Sequence, residues 1–356
     1  MTIRYTYRVS PAPFTFVDGV QEINVDFGRK NVQDQFQAST ARVSGRVLSN
    51  IAGLKINDRL TITVSVNNVF LKNVFDGVIA DIQRIYGYTT EMDTWVILLE
   101  DPLATLGRTE VTTSFSAGDS TGDAASKICT AAGVTYTNLL TRSTVSAQSF
   151  TATNALAILN DLTFTEQGRL YATDYQTVTM SGRKNSAVNL SATFSDGTGG
   201  VSGQPFREIA FTSPKDNFAG TVIVEPNGLA NQIGGSGNPT YTRASYDQTI
   251  SQAFDLANFV LSTLQIKNPV PAQIGVFLDS QTNNETIELT YPDRLGDRIN
   301  VRLRSTTYSC ILEGWSLTAT PGFSSMLIYC SDYSVYDFLI LDSSFNGILD
   351  QSKLGF

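Results

Sequence analysis

The stretch Asp58-Arg59-Leu60-Thr61-Ile62-Thr63-Val64, followed by Val74-Phe75-Asp76-Gly77-Val78-Ile79-Ala80-Asp81-Ile82, has an echo far along the chain. The echo reads Asp297-Arg298-Ile299-Asn300-Val301-Arg302-Leu303, then Cys310-Ile311-Leu312-Glu313-Gly314-Trp315-Ser316-Leu317-Thr318. Each copy opens on an Asp-Arg turn and an alternating strand. A second strand follows, bent at an apolar-acidic-Gly step. That Gly lies 19 residues after the Asp in the first copy and 17 in the second. Alternation at period two means one face buried and one exposed. A Gly inside a strand pattern marks a bulge or a sharp bend, as at a barrel corner. Two such units predict two similar small β-barrels or sandwiches in one chain.

The bulk composition fits that reading. A length of 356 residues suits roughly two to four domains. Hydrophobic residues, at 42%, suffice for packed cores, and charged residues make up only 16%, below the usual ~25%. Thr, Ser, Asn and Gln supply the polarity, as in β-proteins that pack against copies of themselves or their neighbours. The net charge is −8 with no basic run, which argues against sequence-specific nucleic-acid binding. Histidine is absent. That removes the commonest general base, the commonest metal ligand and every Ser-His or Cys-His nucleophile. Cys129, Cys310 and Cys330 are odd in number and far apart in sequence, which suggests neither a disulfide framework nor a zinc site. They read as buried thiols of a chain made in a reducing cytoplasm. No signal-peptide core follows Met1, and no apolar run approaches the ~18 residues of a membrane span. A soluble chain without a membrane span is expected.

Taken in order, residues 1–105 read as a run of strands punctuated by turns, the pattern of a first β-barrel. Residues 106–184 read as a small α+β domain. Its first helix runs from Thr121 towards Gly133, with Thr121 or Asp123 as N-cap. Its second covers Asn154 to Gln167 with Gly168 as the stop, and a hairpin follows over Arg169 to Met180. Residues 185–204 are Ser-, Gly- and Asn-rich and read as a linker or long loop. Residues 205–322 form the second β-barrel, with strands at Glu208-Ile209-Ala210-Phe211, Gly220 to Val224, Gln273 to Leu278 and Thr286 to Tyr291, and a helix at 250–267. Residues 323–356 are a C-terminal extension. The fold class is thus mainly β with an α+β insert.

No active site emerges. Asp58-Arg59 and Asp297-Arg298 precede alternating strands, where turn and ion-pair roles are expected. Asp76 and Asp81 are five apart and lie on opposite faces of a regular strand, so they converge only if a bulge intervenes. Asp293 to Asp297 lacks the oxygen ligands of a calcium site. The Gly-rich run Ile233 to Pro239 lacks the Lys and following helix of a phosphate loop and reads as a hairpin loop. No catalytic, cofactor-binding or metal-binding residue is expected.

The order of features resembles the tail-hub or minor tail proteins of long-tailed bacteriophages. The features are Gly28-Arg29 after a strand, Phe75 to Ile82, Asp101-Pro102-Leu103-Ala104-Thr105-Leu106-Gly107-Arg108, the helix and Gly168-Arg169-Leu170-Tyr171 hairpin, and Gly296 to Val301. The closing Phe338 to Asp342, Gly347 to Asp350 and Leu354-Gly355-Phe356 complete the set. That family is similar to baseplate hub and late-control proteins of contractile tails and to the hub of the type VI secretion spike. The resemblance implies a non-enzymatic homotrimer at the virion tail tip, assembled in the host cytoplasm. Two barrels per chain would form a six-barrel ring that joins a six-fold tube to a three-fold tip and lines part of the DNA-ejection channel. It implies a distal tail protein or tube end above, tail-tip fibre or spike proteins below, and a tape-measure protein in the lumen as a further candidate partner. A negatively charged lumen that lets DNA slide is a further expectation. Two alternatives stay open: a distal tail protein forming a hexameric ring, and a carbohydrate-binding module for host recognition.

Overall fold

The computed structural model describes residues 5–10, 14–15, 19–31, 34–67, 69–182, 190–198, 202–211, 218–264, 269–281 and 283–333. The closing motifs from Phe338 onward lie outside them, as does part of the 185–204 stretch. The chain begins with β1 (Tyr5–Ser10), β2 (Phe14–Thr15), β3 (Val20–Gly28), β4 (Thr40–Arg46), β5 (Arg59–Val66), β6 (Val69–Ile85) and β7 (Thr94–Glu100). A mixed segment follows: α1 (Pro102–Arg108), β8 (Glu110–Phe115), α2 (Thr121–Ala131), β9 (Thr135–Leu139), β10 (Gln148–Asn154), α3 (Ala155–Glu166), β11 (Arg169–Ala172) and β12 (Thr177–Ser181). Next come β13 (Leu190–Ser195), β14 (Glu208–Phe211), β15 (Thr221–Pro226), β16 (Gln232–Gly235), β17 (Thr240–Ser245), α4 (Ile250–Leu264) and β18 (Pro271–Phe277). The last described elements are α5 (Glu285–Glu288), β19 (Arg298–Leu303), β20 (Thr306–Thr320) and β21 (Phe323–Asp332).

The chain is mainly β, and its echo is built into the sheet. The first set of strands is ordered β3-β4-β7-β6-β5-β1, and the second β14-β18-β21-β20-β19-β13. These are the same order of six. One ladder joins them: residues 314–319 of β20 run antiparallel to residues 23–28 of β3. Alternation does what the sequence predicts. Leu60, Ile62 and Val64 of β5 and Ile299 and Val301 of β19 are fully buried, while Arg59, Thr61 and Thr63 point away from the core.

The equivalence of the two hairpins extends to single hydrogen bonds. The Ile79 amide donates to the Asp58 carbonyl at 2.9 Å, and the Leu312 amide to the Asp297 carbonyl at 2.9 Å. One residue later each long strand bulges. Pairing with β7 skips Ala80, and pairing with β21 skips Glu313. Ala80 therefore matches Glu313 and Asp81 matches Gly314, which corrects the expected match of Gly77 with Gly314. Spacing misleads because the β5–β6 hairpin has longer arms and carries two extra residues of its own, Leu71 and Val74. Gly77 has a separate reason: a Cβ there would lie 2.5 Å from the Glu100 carbonyl oxygen.

The sixth strand breaks the parallel. β1 runs antiparallel to β5, whereas β13 runs parallel to β19. It fills the same place in the opposite direction. The named strands join in one 13-stranded sheet, and among the described ladders neither half closes on itself as the expected barrel. Only short contacts meet at the ends. Arg8 and Val9 pair with Thr15 and Phe14 just ahead of β3. Gln204, just ahead of β14, donates its amide to Thr193 at 2.7 Å and accepts from Ser195 at 3.0 Å.

One buried apolar cluster includes residues of both halves, with Trp95 and Trp315 fully enclosed. A second cluster lies in the mixed segment around Leu106, Ile128, Leu159 and Met180. A third binds α4 to the small sheet β16-β15-β17, through Val222, Val224, Ala253 and Ala257. Several local expectations shift. The cap of α2 is Ser120, whose hydroxyl accepts from Asp123 in a capping box, rather than Thr121 or Asp123. α3 ends on Gln167, itself left-handed at φ 53°, one residue before the expected Gly168. The stretch Thr286 to Tyr291 is not a strand: it holds most of α5 and a turn, with Asn283 Oδ1 accepting from the Glu285 amide at 2.9 Å. The Gly-rich run is not a hairpin loop either, because β16 and β17 flank β15 and do not pair with each other. Gly234 suits the close packing of β16 on α4, where a Cβ would stand 3.0 Å from the Ala257 carbonyl oxygen.

Candidate functional site

The residues flagged in the sequence take structural posts. Arg59 makes a two-pronged pair with Asp76, at 2.9 and 2.7 Å, and its guanidinium lies 4.2 Å from the Tyr175 ring centroid. Asp58 does not pair with Arg59; it accepts from the Lys55 amide at 2.8 Å. In the second copy Asp297 is held by Arg294 at 3.2 Å and by the Ser191 hydroxyl. Burial raises its carboxyl above the usual range despite those partners. Arg298 lies 5.3 Å from the Tyr333 ring centroid. The bulge at Ala80 does put Asp76 and Asp81 on the same face, contrary to expectation. Yet Asp76 is committed to Arg59 and Asp81 to the Gln83 amide, so no carboxylate pair forms. Among the described residues no group of three or more His, Cys, Asp or Glu side chains is placed to hold a metal. The three cysteines are buried free thiols.

A heavily engaged buried charge is one the sequence reading passed over. Glu313, the extra residue of the β20 bulge, is fully buried. Its carboxylate accepts from Arg29 Nε at 2.7 Å, Arg169 Nη2 at 3.1 Å and Ser331 Oγ at 2.6 Å. Its own carbonyl accepts from the Arg29 amide at 3.0 Å. Burial opposes the charged form, but Arg169 and Arg29 outweigh it and hold the carboxyl below its usual range. Arg29 directly follows β3, Ser331 belongs to β21 and Arg169 opens β11. One carboxylate thus bonds the joint between the halves to the mixed segment. The only hint in the sequence was an acid beside a glycine inside a strand.

A buried lysine also spans the halves. Lys72 of β6 sits over the Tyr291 ring with Nζ 3.5 Å from its centroid, and is 3% exposed. Burial lowers its ammonium pKa to about 6. Both arrangements suit a joint bearing load; neither presents a group to a substrate.

Among the bare strand edges of the described residues, two in the large sheet concern the match of the halves. Residues 81–85 of β6 pair with β7 on one side, and among the described residues nothing pairs on the other. β14 pairs with β18 on one side, and among the described residues nothing pairs on the other. Beside the first edge Ile85 is 52% and Tyr86 73% exposed.

Neither a protein-family model nor a curated protein sequence matches the chain. Solved structures do. A tail protein from Neisseria meningitidis MC58 superimposes with a TM-score of 0.64 at 11% identity, over 93% of this chain and 97% of that one. The 43 kDa tail protein of prophage MuSo2 from Shewanella oneidensis gives 0.59 at 9% identity, over 93% and 98%. An E. coli type VI secretion component, described as structurally similar to T4 bacteriophage tail proteins, gives 0.53 at 11% identity, over 92% and 77%. Across nearly its whole length, the chain has the fold of these phage tail and secretion-system proteins.

Proposed function

We propose that this chain is a structural tail-tip hub of a bacteriophage, a trimeric ring that joins the six-fold tail tube to a three-fold tip. The observation that carries the reading is the repeated strand order, β3-β4-β7-β6-β5-β1 and β14-β18-β21-β20-β19-β13, in one polypeptide. Three chains with two like units each offer six near-equivalent surfaces to a six-fold partner while keeping three-fold symmetry themselves. Each unit acts as a barrel whose ends meet at the short contacts made by Phe14 and Thr15 in one half and Gln204 in the other. The partners in this reading are the tube end or distal tail protein above and fibre or spike proteins below. The DNA-ejection channel runs through the ring. The engaged charges are structural, so no hydrolytic activity is expected.

Mass measurement of the purified chain and an electron-microscopy image of the assembled ring test this. Three subunits with six like lobes support it. Six subunits, each giving one lobe to the ring, replace it with a hexameric distal tail protein. A positively charged bore would remove the proposed acidic lining.

A further inference from the structure

We propose that the two bare edges are made for each other: β6 of one copy pairs with β14 of the next, rebuilding between chains the β20–β3 ladder that joins the halves within a chain. This rests on the ring reading above and names its contact.

The equivalence of the halves fixes both strands and register. Asp81 matches Gly314, so Arg84, Ile85 and Tyr86 match Leu317, Thr318 and Ala319. Through the β4 and β18 ladders, Ile23, Asn24 and Val25 of β3 match Ile209, Ala210 and Phe211 of β14. Within the chain, Leu317, Thr318 and Ala319 stand opposite Val25, Asn24 and Ile23. Between chains, Arg84 then stands opposite Phe211, Ile85 opposite Ala210 and Tyr86 opposite Ile209.

Burial marks what is missing. Leu317 and Ala319 are fully buried and Ile23 is 1% exposed. Their counterparts Arg84 and Tyr86 are exposed, and Ile209 is only half-buried. An unpaired edge carrying apolar side chains is a template for another strand. Because the two edges differ, the contact is head-to-tail, the kind that closes a ring when the rotation returns to its start. Three chains would hold six such ladders, three within subunits and three between.

The test is a paired cysteine cross-link, since the native thiols are buried. Opposed residues of an antiparallel pair stand about 4.5–5.5 Å apart at Cβ. Under mild oxidation Ile85→Cys/Ala210→Cys should give covalent oligomers ending at three chains. Arg84→Cys/Ala210→Cys, whose side chains face opposite ways, should give none. Ile85→Lys, at an exposed site, should leave the circular-dichroism spectrum of the folded chain unchanged and weaken association about tenfold or more. An oligomer that forms without the Ile85–Ala210 cross-link overturns this contact and leaves the ring reading standing. A chain that stays monomeric overturns both.

Discussion

Glu313 shows how much one side chain can be asked to hold. Removing a partner from a buried ion pair leaves the remaining charges uncompensated, at about 3–5 kcal/mol. Glu313→Ala should therefore lower unfolding stability by that order in chemical denaturation. The Glu313→Ala/Arg169→Ala double variant should lose less than the two single losses added together. Lys72 makes a prediction with a defined sign. Its folded pKa, about 6, lies below the ~10.4 of an unfolded lysine. Between those values the unfolded chain binds more protons, so its contribution to stability rises with pH through that window. Lys72→Met should stabilise the protein near pH 6 by an amount on the order of a few kcal/mol. The gap should close as the pH approaches 10, read from unfolding curves at several pH values.

At the scale of elements, the bulge is where two backbones touch. Gly28 has φ +79°, and a Cβ there would stand 2.5 Å from the Glu313 carbonyl oxygen and 2.8 Å from Gly314 Cα. Gly28→Ala should strain this joint and cost about 1–3 kcal/mol of stability. Ser120→Ala, which breaks the capping box of α2, should cost about 1 kcal/mol. These elements differ in how plainly the sequence announced them. The hairpins were legible because Leu60, Ile62 and Val64, and again Ile299 and Val301, alternate cleanly after an Asp-Arg turn. The match of Gly77 with Gly314 failed because bulged residues such as Leu71 and Val74 change spacing without changing pattern. Thr286 to Tyr291 looked like a strand on β-branched and aromatic composition, but the Asn283 side chain bonding the Glu285 amide and local turns favour the short helix. Glu313 was invisible as a centre because Arg29 and Arg169 are 284 and 144 residues away in sequence.

For the whole molecule, the mainly β class and the duplication were legible in the sequence, since both rest on repeated local patterns. The joining ladder and the small sheet around α4 were not, because strand partners are chosen by tertiary packing. If the halves act as paired lobes of a ring, the β20–β3 joint must carry load between them. Gly28→Ala should then soften the oligomer as well as the chain, seen as a lower dissociation temperature in mass measurements on heating.

The reversed direction of β13 has a consequence for how such a chain arose. A copied gene segment keeps the polarity of every strand it encodes. β13 fills the place of β1 running the other way, so a single duplication does not by itself account for it. The five strands β3, β4, β5, β6 and β7 correspond to β14, β18, β19, β20 and β21 in both order and direction, so one copied segment accounts for those five and leaves the sixth outside the match.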